Sequence, residues 1–530
     1  MRSQRVGRAV TGLLVFALLS AGCASTVQTR TTTELSSDGP GSQGLSSTGT
    51  APAPSAGTSG TAAGTGSTTG AVTPGGGSLP GGGSGGTTTG STGSSGPSLT
   101  AGSTTGTVAA TGPGWDKTSV YFGVPTEEDL SKTLAAAGIS FSPGSLQADV
   151  KAIADDLNAK GGLFGRKLVP VFHDNHASDV SSNPEAAAEA NCAALTQDRR
   201  VISVLNPIAP IESDSFLQCM KKTRTPLMSI GYSTYADDVY QKFGPYLYTT
   251  LTPSVSHFVP SYIPALAQAG YFGGWDTTGG TAKNAPAVVG ILEPDTASGH
   301  TVAALQVTAL RKAGIKVGQQ YFYREDSSAY GSDMSAAILS FRNAGVSHVL
   351  DITNVAAAVV IFAETAQQQR YFPRYGMTSW LLPDTAASVF AQAGVSQQLS
   401  GAVGIGWTPG GDVNSAHDPG QTAPQRACMQ ALARQGVTYS GDKQRFALNT
   451  AWALCDDVNL LVNAAKRGGG LTPDALKAGM EALTTSFQPA VTFSSALSQA
   501  THFVPGSHRV LQYDTGCSCF HYEGATHRMS

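Results

Sequence analysis

From Ser119 onward, short runs of β-branched and aromatic residues alternate with stretches whose apolar residues recur at helical spacing. The runs predict strands over 119–124, 167–173, 201–205, 227–230, 288–292, 317–323, 348–352 and 402–407. Between them, Val150, Ile153, Ala154 and Leu157 share one helical face, as do Met334, Ile338 and Phe341. A longer helix over 445–467 stops at Gly468, Gly469 and Gly470, and Thr472 followed by Pro473 caps a new start. Regular strand–helix alternation predicts parallel sheets with helices on both faces, an α/β protein. The strand pattern restarts near Val288 after a Gly-rich stretch over 270–285, so two lobes are expected.

The region before Ser119 has a different pattern. Arg2, Arg5 and Arg8 precede an apolar run over 10–19, which is too short to span a bilayer and has the layout of an export signal. Residues 24–113 contain 23 Gly and three charges, Arg30, Glu34 and Asp38, with no aromatic residue. Such a segment cannot bury a core and reads as a disordered tether with a span of roughly 50 Å. Within it Gly82, Ser84 and Gly86 satisfy a hydrolase G-x-S-x-G pattern, but no strand precedes them and no helix follows. The remaining 417 residues carry 29 basic and 34 acidic side chains, a net −5. That balance argues against nucleic acid or an anionic membrane surface as partner and leaves small neutral or polar ligands.

Leu19, Ser20, Ala21, Gly22 and Cys23 resemble the lipobox of bacterial lipoproteins, although that family usually places Leu where Ser20 stands. The resemblance implies a diacylglyceryl group on the Cys23 sulfur and a chain held at the outer face of the cytoplasmic membrane. Farther on, Asp156, Asn158, Gly161, Gly162, Gly165, Arg166 and Leu168 resemble the segment D-x-N-x-x-G-G-x-x-G-R-x-(apolar) of type I periplasmic binding proteins, the solute receptors of branched-chain amino-acid ABC importers. Pro226 to Ser229 resemble that family's P-x-(apolar)-S strand, and Tyr248 to Ser254 its F-R-T-x-P-S crossover. Tyr330 to Ser335 with Ile338, then Val346 to Leu350, continue the family order. The resemblance covers residues 119–513.

It implies two Rossmann-like lobes joined by a three-segment hinge, with 114–250 and 402–485 in the first lobe and 251–401 and 486–530 in the second. The implied ligand site lies at the carboxyl ends of the strands. In the first lobe it takes Tyr232, Ser233 and Thr234 after the strand over 227–230, where the family holds a carboxylate or amide, and Ala209 where amino-acid receptors carry a serine. In the second lobe it takes Ser298, Thr353, Asn354, Ser379 and Trp380. Ser233 and Thr234 also suit a helix N-cap. No carboxylate stands at the position that would meet an ammonium group, with Asp295 and Asp351 as the nearby substitutes, and Trp380 offers an apolar wall. A less charged solute than an α-amino acid is therefore expected.

Apart from Cys23, six cysteines remain, an even number suited to disulfides in an exported chain. Local pairing predicts Cys192 with Cys219, Cys428 with Cys455 and Cys517 with Cys519. Two metal readings compete: Cys517, Cys519, His521 and His527, whose spacing fits no common zinc pattern, and His173, Asp174 and His176 at a strand end. No metal or cofactor is expected. No triad order, P-loop or dinucleotide fingerprint occurs in the folded part, so no enzyme activity is expected either. The expected function is a monomeric, membrane-tethered receptor that closes on a small polar solute and delivers it to an ABC permease. A sensor that reports ligand to a membrane partner, and a surface protein with an inactive cleft, are the alternatives.

Overall fold

The computed structural model describes residues 108–132, 144–208, 211–230, 233–282, 285–325, 328–352 and 356–529. Cys23, the signal and nearly all of the tether lie outside these residues, as do Ala209, Tyr232, Thr353 and Asn354. The ordered body begins before residue 114. Trp115 donates its indole N–H to Ala109 O at 3.0 Å, Arg166 donates to the same carbonyl at 3.0 Å, and Val108 packs against the core. The tether assigned over 24–113 therefore ends earlier, because Trp115 and Arg166 anchor its last residues.

The first lobe is built on five parallel strands, β1 (Ser119–Thr126), β2 (Lys167–Asp174), β3 (Val204–Asn206), β4 (Leu227–Ser229) and β5 (Leu247–Thr249), in the order β2-β1-β3-β4-β5. A small hairpin, β6 (Trp275–Asp276) and β7 (Gly280–Thr281), precedes the second sheet. That sheet comprises β8 (Val288–Pro294), β9 (Lys316–Tyr323), β10 (His348–Leu350), β11 (Arg374–Thr378), β12 (Val403–Gly406), β13 (Ser507–Asp514) and β14 (Cys519–Arg528). Its order is β14-β13-β12-β11-β10-β8-β9, with β13 and β14 antiparallel. From β9 to β12 the second sheet repeats the strand order of the first. Buried residues cover both faces of each sheet. Val150, Trp452, Leu461 and Met480 lie on one side of the first and Leu195, Phe216 and Phe243 on the other. Met334, Phe341 and Phe390 lie on one side of the second and Phe258, Tyr262 and Leu310 on the other.

Two boundaries differ from the sequence reading. Residues from Ala402 were assigned to the first lobe, but β12 pairs with β11 on one side and β13 on the other, so the chain leaves the second sheet only after Gly406. A strand-like apolar run fixes the element and not the sheet it joins. Residues from 486 were assigned to the second lobe, yet Phe487, Ala490, Val491, Leu497 and Val504 pack in the first lobe's core. The backbone N–H groups of Ala490 and Val491 donate to the buried Asp456 carboxylate on the helix Arg445–Gly468, which holds this segment in place. The three crossings therefore fall near 250–254, 407–414 and 504–507. The first two are tied together where Trp407 donates its indole N–H to Leu251 O at 2.8 Å, and the first is tied to the first lobe where Thr250 Oγ1 donates to Asp457 at 2.6 Å.

The glycine-rich segment 156–168 proves to be a structural joint. Gly162 has φ 66°, and a Cβ there would lie 2.0 Å from Arg166 O, so only glycine fits the turn. Asn158 bonds Leu168 N and O through its side chain and so fixes the entry to β2. Disulfides join Cys192 to Cys219, Cys428 to Cys455 and Cys517 to Cys519. Each of the two that span 27 residues stabilises the fold by about 3–4 kcal/mol in the chain-entropy account. Among the described residues no helix is long and apolar enough to cross a membrane.

Candidate functional site

The carboxyl ends of both sheets approach one another at the lobe junction. The loop after β4 supplies Ser233 and Thr234, and Glu212 holds the residues on either side of Thr234. This carboxylate is fully buried and accepts from Asn206 Nδ2 at 2.7 Å, Ser233 Oγ at 3.0 Å and Tyr235 OH at 2.9 Å. Burial raises its pKa, while hydrogen bonds from Ser229, Asn206, Tyr235 and Ser233 act against that shift. Glu212 thereby links the end of β3 to the loop after β4. Nothing in the sequence marks it, since its partners Asn206, Ser233 and Tyr235 lie 6 to 23 residues away and the acidic residue beside it, Asp214, opens the next helix.

Across the junction, Ser298 lies in the first turn of the helix Ala297–Lys312, whose N-cap Thr296 accepts from Gly299 N at 3.0 Å. Ser298 Oγ donates to Thr234 O at 2.8 Å and stands 3.0 Å from Thr234 Oγ1, so the lobes meet through these two residues. Beside them Trp380, fully buried, points its indole N–H at Ser233 O, 3.4 Å away. Its ring lies edge-on to Phe258 and Trp407, with centroids 5.0 and 4.7 Å apart, which builds an aromatic wall at the hinge.

Ser379 faces the hinge instead of the opposite lobe. It donates to Asp412 Oδ2 at 2.8 Å and accepts from Trp407 N at 2.7 Å. Asp412 is itself fully buried and also accepts from Tyr522 OH at 2.5 Å and Thr408 N at 2.9 Å. Burial pushes its carboxyl up to about 7, against the pull of the Tyr522, Ser379 and Thr408 bonds. At the end of β1, burial followed by repulsion from Asp129 and Asp174 pushes Glu127 up to about 8. Peptide groups, hydroxyls and an aromatic wall at two opposed strand ends suit the grip of a small molecule.

The profile of the periplasmic binding protein family matches residues 132–517. The chain belongs to the type I periplasmic binding proteins. No curated protein matches it. Among solved structures, this binding protein is similar to an ABC-transporter solute-binding protein from R. palustris in complex with 4-hydroxybenzoate, at 12% identity and a TM-score of 0.55, covering 78% of this chain and 98% of that one. A periplasmic binding protein type 1 from Bordetella pertussis Tohama I shares 15% identity at a TM-score of 0.54, covering 76% and 99%. A branched-chain amino-acid ABC transporter protein from Thermus thermophilus with bound valine shares 14% identity at 0.51, covering 77% and 96%. At these identities the likeness is one of fold. The fold expected from the sequence is thus the fold of this family, whose members bind solutes outside the cytoplasm.

Of the residues singled out in the sequence, this binding protein brings Ser233, Thr234, Ser298 and Trp380 together, while Ser379 is engaged behind them. The proposed metal set of Cys517, Cys519, His521 and His527 does not assemble. His527 lies beside His508, tilted with 5.9 Å between ring centroids, and the imidazole at the Cys519 sulfur is that of His417. Of the other set, His176 pairs with Asp129 at 3.3 Å.

Proposed function

We propose that this binding protein is the extracytoplasmic receptor of an ABC importer, anchored through lipid on Cys23, that captures a small polar solute between its lobes and presents the closed form to a permease. The solute class is an amino acid, an amide or a related compound. The observation that carries the reading is the meeting of Thr234 and Ser298 across the lobes at the carboxyl ends of two sheets with the same strand order. A solute with paired donor and acceptor groups takes over these bonds, and closure is favoured by as much as it binds the closed form better than the open one. The site proposed comprises Ser233, Thr234 and Ser298, with Tyr232, Ala209, Thr353 and Asn354 on the neighbouring loops by their place in the sequence. Trp380 forms its apolar wall, and Ser379 holds the hinge beneath it.

Thermal unfolding with millimolar valine, 4-hydroxybenzoate, simple amides and urea tests this reading, alongside native mass spectrometry of the purified protein for a retained compound. At least one compound is expected to raise the melting temperature, since a ligand at a hundredfold its Kd adds about 2.7 kcal/mol. The pair Thr234→Val with Ser298→Ala is expected to weaken that ligand by roughly tenfold. A protein that retains nothing and responds to none of these compounds would refute it.

A further inference from the structure

The disulfide between Cys517 and Cys519 adds little to the fold. It closes a loop of sequence separation 2, whereas the other two bridges span 27, and entropic stabilisation grows with loop length. It also duplicates a restraint already present, because the β13–β14 ladder pairs Asp514 directly with Cys519 at the same hairpin end. Within the closed ring Ser518 is held at φ 53°, a left-handed conformation unfavourable for a residue with a Cβ.

The two sulfurs have unequal surroundings. Cys517 is exposed at the hairpin tip, while Cys519 is 4% exposed and faces His417, whose Nδ1 lies 3.5 Å from its Sγ. His417 lies just after the second crossing, on the short turn Ser415–His417. Asn414 fixes its tautomer: Asn414 Oδ1 accepts from Ala416 N and His417 N and stands 2.9 Å from His417 Nδ1, so Nδ1 carries the hydrogen. That N–H therefore lies between Asn414 Oδ1 and the Cys519 sulfur. A donor at this place stabilises negative charge on the sulfur as the bond to Cys517 breaks.

We infer that Cys517 and Cys519 form a thiol-exchanging site for a low-molecular-weight thiol, with Cys517 as the attacked sulfur, Cys519 as the leaving sulfur and His417 as the donor that stabilises it. The incoming thiolate bonds to Cys517 Sγ, the bond between the two cysteines breaks, and Cys519 departs with the electron pair as a thiolate. A second thiolate attacks the outer sulfur of the mixed disulfide, releases the oxidised thiol dimer and leaves Cys517 as thiolate. The two cysteines then take protons from solvent. The thiol is the reductant, and two of its molecules supply the two electrons.

The test uses the full chain with millimolar glutathione or free cysteine, quenched in acid and mapped by peptide mass. The expected result is a mixed disulfide on Cys517, formed while Cys192–Cys219 and Cys428–Cys455 stay closed. His417→Phe, which removes the donor, is expected to slow this opening by roughly tenfold without changing the rate at which the other bridges open in urea. Adducts on Cys519, adducts shared equally between the two sulfurs, or simultaneous opening of all three bridges would overturn the inference. An unchanged rate in His417→Phe would do the same. If that variant does not fold, the position of the adduct in the unmodified protein decides the matter.

Discussion

Asp149 illustrates what burial does to a single carboxyl group. It stands in the first turn of the helix Leu146–Ala159, accepts from Tyr439 OH at 2.6 Å through Oδ1, and buries Oδ2 without a partner. Burial lifts its pKa from 3.8 to about 7, so the native state keeps a proton that the unfolded chain releases. The associated stability is whole below the unfolded value and is lost as pH rises through about 7, at up to about 1.4 kcal/mol per pH unit. Asp149→Asn keeps the acceptor for Tyr439 and puts an amide where the unpartnered oxygen was. This variant is expected to be more stable than the parent at about pH 8 and nearly equal at about pH 4, measured by urea unfolding at both. Buried His348 and His508, each lowered to about 4, act in the opposite sense, losing stability as pH falls from the unfolded value toward 4. None of these surroundings is visible in the sequence, because a carboxylate's partners, as for Glu212 and Asp412, come from elements far apart along the chain. Thr234 and Ser298 were singled out from the family resemblance and the strand-end rule, and the structure brings their hydroxyls within 3.0 Å of each other.

At the level of elements, the helices Arg445–Gly468 and Pro473–Leu483 pack so closely that each presents a glycine to the other's backbone. A Cβ on Gly479 would lie 1.8 Å from Ala464 O, and one on Gly468 would lie 1.8 Å from Ala475 O. Gly479→Ala is therefore expected to force the helices apart and cost about 1–3 kcal/mol or more, read as a lowered urea midpoint with the fold retained. The helix over 445–467 was legible because a long amphipathic stretch ends at glycines, and Gly469 indeed caps it at φ 68°. Strands β1, β2 and β8 to β10 were legible for a similar reason, as short runs rich in β-branched and aromatic residues between turns. Strand β5 (Leu247–Thr249) is too short to leave a period and read only as part of the crossover. The hairpin β13–β14 carries many polar residues on an exposed edge, so its alternation is weak.

For the whole molecule, the decisive feature is an indole that bridges two of the crossings. Trp407 spans two of them through its indole N–H to Leu251 O, and its ring packs on Phe258 and Trp380. Trp407→Phe keeps an aromatic ring but strands a buried carbonyl. It is expected to lower stability by about 1–3 kcal/mol and to change solute affinity, which urea unfolding and titration calorimetry measure separately. A variant with unaltered affinity would mean that the link only holds the fold together and does not set the lobe angle. The two-lobed plan was legible from the restart of strands near Val288. Where the chain returns between lobes was not, because that depends on which sheet β12 joins and on what Asp456 grips.

The edge-to-face indoles of Trp380 and Trp407 make the protein its own optical gauge. Since Trp380 aims its N–H at the facing lobe, parting the lobes would hydrate that N–H and disturb the coupling of the two chromophores. Emission colour and near-ultraviolet dichroism would then register occupancy in solution, with no dye attached.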